Sequence, residues 1–566
     1  MSQKFKNIED YGIIGNLATC AFIGNDGSVD WLCLPDLSSP SVFAAILDED
    51  KGGSLRVSPA SKYTSSQSYE EDSNILKTTF LSDEGRAVVT DFMKPLRRGT
   101  TESTILLRKI ECTAGEILVD IGFKPRFDYA RSSPELKQKE NGILASAGPE
   151  QLFLQSSVPL KINDKEASGH IKMREGDYRW LVLQYGQEKF ITEDECEDLL
   201  NRLKAFWKKW DSSRILSKDV FRGSWHDLVV RSGQVLKLLS NPESGAIAAA
   251  ATTSLPEEIG GVRNWDYRYT WIRDASFTIQ ALHHIGHLEE GKRFIQWVEN
   301  IIKKDQHPSR IQIMYGLGGE ENLEEKTLDN LSGYKDSRPV RIGNGAAKQR
   351  QLDIYGELIN AIYETTRYGK DVSEEVWNSI KTITDYVCEV WDTEDAGIWE
   401  VRGGSRHYVY SKLMCWVAVD RAIKMAQEKK NEPLSGKWEK TREDIKTAIL
   451  DKGFSAELNS FVQSFGSETL DATSLLIPIM GLLPADDPRV QGTIDATLKD
   501  LTRDGYLVYR YNSDDGLPGS EGFFILCSFW LVKALAVSGR VEEAENIYQK
   551  VLKHISPLGL FAEEID

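Results

Sequence analysis

Two rhythms of hydrophobic and polar residues divide the chain. In the N-terminal part, short runs that favour strands are separated by turn sequences. The stretch "CAFIGNDGSVDWLCL" (20–34) places an Asn-Asp-Gly turn between two apolar segments, and "STILLRKIECTAGEILVDIGFKP" (103–125) repeats the pattern with "TAGE" as its turn. Runs of this kind joined by tight turns are typical of antiparallel hairpins. We therefore predict an N-terminal antiparallel β-sandwich over residues 1–190.

Helical spacing of apolar residues takes over after these predicted strands. In the stretch 193–210 apolar residues stand four, three and four positions apart: Leu199, Leu203, Phe206 and Trp210. This spacing predicts a connecting helix within a linker over residues 191–221. Further helices are predicted to begin near residues 222, 271, 290, 351, 375, 411, 436, 470, 488, 523 and 541. Eleven such helices favour a ring of paired helices around a central concave site, in a domain over residues 222–566.

Composition and charge argue against several classes of protein. The chain has 566 residues, 41% hydrophobic and 27% charged, with 86 acidic against 69 basic residues and a formal net charge of −17. Nucleic acids and anionic membranes bind cationic surfaces, so neither is expected as the partner. The first residues, "MSQKFKNIEDYG", show no secretory signal, and no run approaches the roughly 18 apolar residues that a membrane helix needs.

Cysteine usage indicates a reducing compartment. The seven cysteines are scattered along the chain without a CxxC pair. We therefore predict reduced thiols in a cytoplasmic protein. The sequence has no His/Cys spacing typical of a metal site and no phosphate-binding GxxxxGK[ST] loop, so neither a metal nor a cofactor is expected.

One segment is unusually dense in rings and charges. In "NWDYRYTWIRDA" (264–275) the aromatic residues at 265, 267, 269 and 271 recur with a period of two, which predicts an extended segment with Asp266 and Arg268 on its other face. Aromatic rings stack on the apolar faces of sugars, and Arg and Asp side chains hydrogen-bond hydroxyl groups. A structural staple of ion pairs at a helix start fits the segment equally well. The segment alone leaves both interpretations open.

Two further stretches carry candidate carboxylates. Glu400 follows Trp399 in "GIWEVRGGSRHYVYSK" (397–412), and an apolar ring beside a carboxyl raises its pKa, as a general acid requires. The competing interpretation is a surface glutamate in a glycine-bounded turn. In "GLFAEEID" (559–566) Glu563 and Glu564 stand near Phe561. Terminal glutamates of this kind normally form a solvated chain end.

Several long motifs occur in the order of one enzyme family. They are "GAIAAAATTSLPEEIGGVRNWDYRYTWIRDASF", "RIGNGAAKQRQLDIYGE", "GIWEVRGGSRHYVYSKLMCWVAVDRA", "FGSETLDATSLLIP" and "GLFAEEID". Together they resemble glycoside hydrolase family 15, which comprises glucoamylases and the bacterial and archaeal trehalases. The stretch "IEDYGIIGNLATCAFIGNDGSVDWLCLPDLSSPSVFA" resembles the β-sandwich that precedes the catalytic domain in prokaryotic members. Leu37 and Ser38 replace the Phe-Asp that is common there.

The resemblance covers nearly the whole chain and implies a fold and an activity. The implied fold is an (α/α)6 barrel after the β-sandwich. The implied activity is exo-acting hydrolysis with inversion, which releases β-glucose from the non-reducing ends of maltooligosaccharides and other α-glucans or from trehalose. The expected partner is therefore a small neutral α-glucoside.

The resemblance also implies roles for residues that bind sugar. The family's Tyr-x-Tyr-Thr-Trp-x-Arg-Asp signature falls on residues 267–274. Tyr267 and Trp271 then line a glucose pocket, and Arg273 and Asp274 bind hydroxyls of the non-reducing-end glucose. Arg510 matches an arginine that holds sugar hydroxyls.

The same resemblance implies the two catalytic residues. The family's Trp-Glu motif falls on Trp399 and Glu400, so Trp399 belongs to the pocket and Glu400 is the general acid. The Ala-Glu motif late in the family falls on Ala562 and Glu563, so Glu563 is the base that activates water.

Two expectations concern the end of the chain and the competing functions. Eleven predicted helices are one fewer than an (α/α)6 barrel has, and family members continue beyond the base motif. The last barrel helix is therefore expected to be missing, with apolar strips on the helices near 523–538 and 222–240 left for a longer natural chain or another subunit of a homo-oligomer. A sugar phosphorylase on a similar barrel and a non-catalytic sugar-binding or regulatory protein are the alternative functions. The presence of Glu563 favours hydrolysis.

Overall fold

The fold was taken from a computed structural model of the chain. It describes residues 5–96, 99, 103–213, 223–305, 307–366, 372–401, 404–429, 435–512 and 522–565. Within this part of the chain, strands dominate up to residue 185 and helices dominate after residue 192.

The N-terminal region is an antiparallel β-sandwich. Its described residues form the strands β1 Tyr11–Gly15, β2 Cys20–Gly24, β3 Ser28–Cys33, β4 Ser41–Phe43, β5 Ser54–Pro59, β6 Tyr63–Tyr69, β7 Leu76–Ser82, β8 Gly85–Met93, β9 Ile105–Lys124, β10 Glu135–Lys139, β11 Gly142–Ala147, β12 Glu150–Ser156, β13 Lys161–Asn163, β14 Glu166–Arg174 and β15 Tyr178–Tyr185. All their pairings are antiparallel, in the path β1-β2-β3-β5-β9-β15-β12-β11-β10. Strand β8 also pairs with β9 and is followed outward by β7 and then β6. Inward-facing apolar side chains from both halves of this path form one core.

One predicted hairpin is confirmed and the other is wrong. The Asn-Asp-Gly turn joins β2 to β3 as predicted, with Gly27 in the left-handed region at φ +78°. The predicted turn "TAGE" lies inside β9, which runs unbroken for 20 residues. There Gly115, at φ +68°, bends the strand so that its first half pairs with β8 and β15 and its second half with β5 and β14. The glycine thus turns a strand between two sheets instead of reversing the chain.

The single turn α1, Phe127–Ala130, lies within the sandwich, and the predicted connecting helix is α2, Glu193–Ser212. Thr192 caps its N-terminus by accepting a hydrogen bond from the backbone N–H of Glu195, whose carboxylate bonds back to the cap. Its buried face consists of Cys196, Leu200, Leu203 and Trp207, one position away from most of the predicted stripe. Residues 214–221 of the predicted linker lie outside the described residues.

Eleven helices follow in the described residues after 222, each beginning close to its predicted start. They are α3 His226–Leu238, α4 Ile272–His284, α5 Glu289–Asp305, α6 Asp353–Thr366, α7 Glu374–Val390, α8 Val409–Glu428, α9 Gly436–Lys452, α10 Leu476–Met480, α11 Pro488–Asp500, α12 Ile525–Val537 and α13 Val541–Val551. Short strand pairs connect several of them: β16 Thr270–Trp271 with β17 Met314–Tyr315, β18 Lys326–Thr327 with β19 Arg341–Ile342, β20 Phe454–Ser455 with β21 Ser460–Phe461, β22 Thr502–Arg503 with β23 Leu507–Val508, and β24 Phe523–Phe524 with β25 Glu564–Ile565.

The helices form an inner and an outer layer. Helix α6 packs between α4 and α8, and α10 packs against α12, while α5, α7 and α9 contact one another outside. Helix α8 buries 17 of its 20 residues, whereas the outer helices α5 and α13 each carry charged residues on one face. At Gly356 a Cβ atom would lie 2.0 Å from the Met414 carbonyl oxygen, so α6 and α8 approach closely only because this residue is glycine.

Among the described residues, exposed large apolar side chains near α12 and α3 occur only at the ends of these helices. Val537 at the end of α12 is 47% exposed and Trp225 before α3 is 36% exposed. Phe529 of α12 is half-buried against Tyr548 and Phe561. The expectation of a further barrel helix beyond residue 566 stays a prediction. Among the described residues, no helix is both long enough and apolar enough to cross a membrane.

The β-sandwich and the helical region share an interface core. It combines residues of the sandwich, including Trp31 and Tyr129, with the loop residues Leu328, Leu331 and Tyr334 of the helical region. Trp31 donates a hydrogen bond from its indole N–H to the carbonyl of Ala251 at 2.8 Å. The sandwich therefore lies directly against the loops that lead into α4.

Candidate active site

A cavity of about 400 Å³ opens at one end of the inner helices. It is lined by loops that precede α4, α8 and α12 and by the segment that carries Glu563. All eight site residues predicted from the sequence line it: Tyr267, Trp271, Arg273, Asp274, Trp399, Glu400, Arg510 and Glu563. The fold thus gathers residues up to 296 positions apart into one concave site, a common form of small-molecule pocket.

The segment 264–271 forms one wall of the cavity. It is extended, as predicted, because the backbone N–H groups of Ala249, Ala250 and Ser254 donate to its carbonyl oxygens at 2.8–2.9 Å. The rings of Trp265, Tyr267 and Trp271 line the cavity. The opposite face carries an ion pair between Asp266 and Arg268, both 0% exposed. The sugar-binding and the structural interpretation therefore each describe one face of the segment. The aromatic rings face the cavity, and the structural ion pair lies behind them.

Two charged residues at the start of α4 reach the cavity floor. Arg273 Nη1 donates to Gln351 Oε1 at 2.9 Å and to Asp353 Oδ2 at 3.2 Å. Burial alone would lower the pKa of Arg273, but the carboxylates of Asp353, Asp274 and Glu400 raise it, so the guanidinium stays charged. Among the described residues Asp274 Oδ2 has no hydrogen-bond partner, and Arg273 Nε lies 3.7 Å away. Asp274 also lines the cavity with a side chain that is 40% exposed, so its carboxylate can accept a hydrogen bond from a hydroxyl group.

Glu400 lies across the cavity floor in an unusual backbone conformation. Its φ of +57° is in the left-handed region, which costs a non-glycine residue about 1–3 kcal/mol and is concentrated at functional sites. Trp271 Nε1 donates to Glu400 Oε1 at 2.8 Å, and Arg273 Nη2 lies 3.5 Å from the same oxygen. Burial raises the pKa of Glu400, against the opposing effects of Arg273 and the Trp271 hydrogen bond. The surroundings thus shift the pKa of this carboxyl in the direction that a general acid needs.

The ring that hydrogen-bonds the Glu400 carboxyl is that of Trp271, not that of the neighbouring Trp399. The indole N–H of Trp399 donates to Asp471 Oδ2 at 2.9 Å. Its ring instead packs near Tyr511, Phe524 and Trp530, with centroids 6.1–6.3 Å apart. Adjacent side chains in a tight turn point in different directions, so Trp399 builds an aromatic wall and Trp271 bonds the carboxyl.

Glu563 is held at the cavity by the start of α12. Its backbone carbonyl accepts a hydrogen bond from Ile525 N at 3.1 Å, and the next residues pair with Phe523 and Phe524. Glu563 lines the cavity and keeps part of its surface exposed, while enclosure by the surrounding protein raises the pKa of its carboxyl to about 7. Burial is the main cause, and Asp274 adds to it, whereas Arg510 acts in the opposite direction.

Sequence reasoning missed a third carboxylate at the cavity. Glu257 is 9% exposed and accepts a hydrogen bond from Arg510 Nη2 at 2.7 Å, with Arg263 Nη1 at 3.9 Å. Arg510 Nη1 also lies 3.4 Å from Glu564 Oε1. The motif "TSLPEEIGG" contains Glu257 but gives no reason to choose it over Glu258. The contact with Arg510 distinguishes it.

Sequence reasoning also missed a group of buried polar side chains beneath the cavity floor. Asp353 and Glu357 lie one helical turn apart on α6, and Tyr410 of α8 donates a hydrogen bond to Glu357. Burial raises the pKa of Glu357 to about 8. Its charge at neutral pH is therefore suppressed by its surroundings. Within the described residues no cluster of three or more His, Cys, Asp or Glu side chains is arranged to hold a metal ion.

Comparisons with known proteins agree with this architecture. The family model "Glycosyl hydrolases family 15" matches residues 223–566, and "Trehalase-like, N-terminal" matches residues 1–205. A trehalase of Thermoplasma volcanium is 37% identical over 568 residues, which cover 99% of this chain and 90% of the relative. A trehalase of Mycobacterium tuberculosis is 37% identical over 593 residues, which cover 99% of this chain and 86% of the relative.

A solved structure shares the fold. The crystal structure of a bacterial glucoamylase complexed with acarbose superimposes with a TM-score of 0.69 at 15% identity, covering 100% of this chain and 91% of that one. At this identity the likeness shows a β-sandwich followed by an (α/α) barrel.

Proposed function

This chain belongs to glycosyl hydrolase family 15 and is a glycoside hydrolase, and we propose that its substrate is α,α-trehalose, cleaved with inversion into two glucose molecules. The observation that carries the proposal is that Glu400 and Glu563 line one cavity together with Arg273 and Asp274. The choice of trehalose over maltooligosaccharides and other α-glucans is supported by similarity over nearly the full length to proteins named trehalase.

In the proposed reaction Glu400 is the general acid. It gives its proton to the glycosidic oxygen as the bond from that oxygen to the anomeric carbon breaks. Its pKa is raised by burial, which favours retention of the proton, and the hydrogen bond from Trp271 orients the carboxyl. Glu563 is the general base: it takes a proton from water while the water oxygen attacks the same carbon from the opposite face. Inversion requires the two carboxyl groups to stand about 6.5–9.5 Å apart, so that a water molecule fits between.

The remaining cavity residues bind the sugar in this proposal. Arg273 and the partly exposed carboxylate of Asp274 bind hydroxyls of the non-reducing-end glucose. Tyr267, Trp271 and Trp399 supply ring faces for its apolar surface, and Arg510, held by Glu257, binds further hydroxyls. A neutral sugar gains specificity here from charged hydrogen-bond partners rather than from net charge.

Anomer-resolved product analysis tests the proposal. Trehalose has two α-linked anomeric carbons, so inversion yields one β-glucose and one α-glucose, whereas retention yields two α-glucose molecules. Initial products are followed by proton NMR before mutarotation, with Glu400→Gln as the blank. Equal initial amounts of the two anomers are expected. Only α-glucose, or faster cleavage of maltose and maltotetraose than of trehalose, would contradict it.

The same assay separates the alternative functions. A sugar phosphorylase would form glucose 1-phosphate only when phosphate is present, and a sugar-binding protein would bind trehalose without turnover. The position of Glu563 at the cavity supports hydrolysis, since phosphorolysis needs no base for water. We also infer a cytoplasmic location, since all seven cysteines are free thiols.

A further inference from the structure

We propose that Arg268 is a positioning residue through which the β-sandwich sets the wall of the active site. Arg268 lies outside the cavity lining, and neither the motif assignment nor the proposed mechanism gives it a role. The proposal rests on the cavity being the active site, as proposed above.

All five N–H groups of Arg268 have partners. Nε and Nη2 donate to the two carboxylate oxygens of Asp266 at 2.8 and 2.7 Å. The other four partners belong to the β-sandwich: the carbonyl oxygens of Leu37 at 3.1 Å and Ser39 at 2.9 Å, the hydroxyl of Tyr129 at 2.8 Å, and the sulfur of Cys33 at 3.3 Å. A guanidinium with every donor used in a fixed fork is held in one orientation.

The fixed orientation of Arg268 affects the cavity through the wall segment, residues 264–271, because the side chains of this segment alternate between two faces. Tyr267, whose ring lines the cavity, stands between Asp266 and Arg268 in an extended backbone. Successive side chains of an extended segment point to opposite faces. Because Tyr267 shares its backbone with Asp266 and Arg268, a displacement of the ion pair also displaces the Tyr267 ring. The backbone N–H of Arg268 also donates to Asp266 Oδ1 at 3.2 Å, which ties the pair to the main chain.

Asp266 extends the coupling to a second side of the cavity. Its Oδ2 accepts a hydrogen bond from Gly343 N at 3.2 Å, and its backbone carbonyl accepts one from Asn344 Nδ2 at 3.4 Å. Asn344 and the following residues Gly345 and Ala346 line the cavity. One buried ion pair therefore fixes two cavity sides relative to the β-sandwich.

The sandwich holds its part of this contact in a strained conformation. Asp128, Tyr129 and Ala130 are three consecutive non-glycine residues with φ of +51°, +55° and +62°. Such a run persists only where surrounding contacts over-determine it, and it is concentrated at functional sites. Asn330 of the helical region fixes the turn by donating to the Tyr129 carbonyl at 2.8 Å. The turn presents the Tyr129 hydroxyl to Arg268.

The test compares two buried Arg–Asp pairs that differ in location. Arg108 also is 0% exposed, pairs with Asp91 at 2.6 Å, and donates to the carbonyls of Leu55 and Gly27, all within the sandwich. Arg268→Lys and Arg108→Lys each keep the charge and lose the fork. KM and kcat for trehalose are measured on the folded fraction of each variant, well below its melting temperature.

Arg268→Lys is expected to lower kcat/KM by about ten-fold to a hundred-fold, the effect of a small displacement of substrate-positioning groups. Arg108→Lys is expected to lower the melting temperature without changing either kinetic constant. Equal kinetics of the two variants would overturn the proposal, because the Arg268 pair would then be structural only. If the wild-type enzyme itself does not cleave trehalose, the proposed substrate fails, and the comparison is made on whichever α-glucoside it cleaves.

A milder pair of variants covers the case in which Arg268→Lys does not fold. Tyr129→Phe removes one hydrogen bond to Arg268, and Tyr334→Phe removes a hydroxyl of the same interface core that donates to the Lys6 carbonyl at 2.9 Å. A rise in KM is expected for Tyr129→Phe alone. The same KM in both variants as in the wild type would refute the positioning role.

Discussion

The exchange of Glu400 for glutamine tests the assignment of the general acid with little structural disturbance. The glutamine side chain of Glu400→Gln can be carried by the same left-handed backbone, and its amide oxygen can still accept the 2.8 Å hydrogen bond from Trp271. The variant therefore loses the transferable proton and little else. General acid catalysis contributes about 10²–10⁴-fold, so kcat for trehalose is expected to fall by this factor, about 2.7–5.4 kcal/mol of transition-state stabilisation.

A substrate that needs no proton on its leaving group makes the test specific. In α-glucosyl fluoride the leaving group departs as fluoride without protonation, while attack by water still requires the base. Glu400→Gln is therefore expected to cleave the fluoride at a rate close to the wild type, and Glu563→Gln is expected to lose activity on both substrates. Release of glucose and of fluoride ion is measured at matched enzyme concentration.

A buried carboxyl beneath the same cavity provides the matched control. Burial keeps Glu357 largely protonated at neutral pH, so Glu357→Gln changes no charge there and is expected to retain activity on both substrates. Equal losses of Glu400→Gln on trehalose and on the fluoride would refute the reasoning, because the missing group would then not be a proton donor.

Charge and burial also determine how activity and stability depend on pH and how strongly the sugar binds. Since burial raises the pKa of Glu563 to about 7 and the base must be ionised, kcat/KM is expected to fall as pH drops below about 7. Arg510 lowers the pKa of Glu563, so Arg510→Gln should move this fall in kcat/KM to higher pH. A pH profile that does not move would contradict the assignment. Because the pKa of Glu357 is raised to about 8, the folded protein holds a proton that the unfolded chain releases near pH 4.5. The free energy of unfolding of the wild type is therefore expected to fall as pH rises from about 4.5 to about 8, by about 1.4 kcal/mol per pH unit. Denaturant unfolding at pH 5 and pH 8 should show that Glu357→Gln lacks this loss, and parallel changes in both proteins would refute it. Arg273→Ala should raise KM and lower kcat together, because it removes a charged hydrogen-bond donor from the sugar and leaves buried Asp353 unpaired; unchanged kinetics would return Arg273 to a purely structural role.

Much of the fold and of the site follows from local sequence patterns. The change from strand-like runs to 3.6-residue spacing separates sandwich from helices, and helix starts such as Pro488 and Val541 agree with their predicted positions. The alternation around Tyr267 indicates an extended two-faced segment. These features depend on residues close together in the chain, so a periodicity is enough to find them. The roles of Glu400 and Glu563 came from family motifs and stay predictions until activity is measured.

Other features were decided by tertiary structure alone. The "TAGE" turn became a bend in β9 because sheets on both sides pair with the continuous strand, which a local turn signal cannot reveal. Trp271, 129 positions away, bonds Glu400 in place of its neighbour Trp399. Arg268 finds Tyr129 at a separation of 139 residues. The pattern of the sequence specifies which face of each element is buried. Which distant side chain contacts that face depends on how whole elements and domains pack against one another, so it is decided only by the tertiary structure.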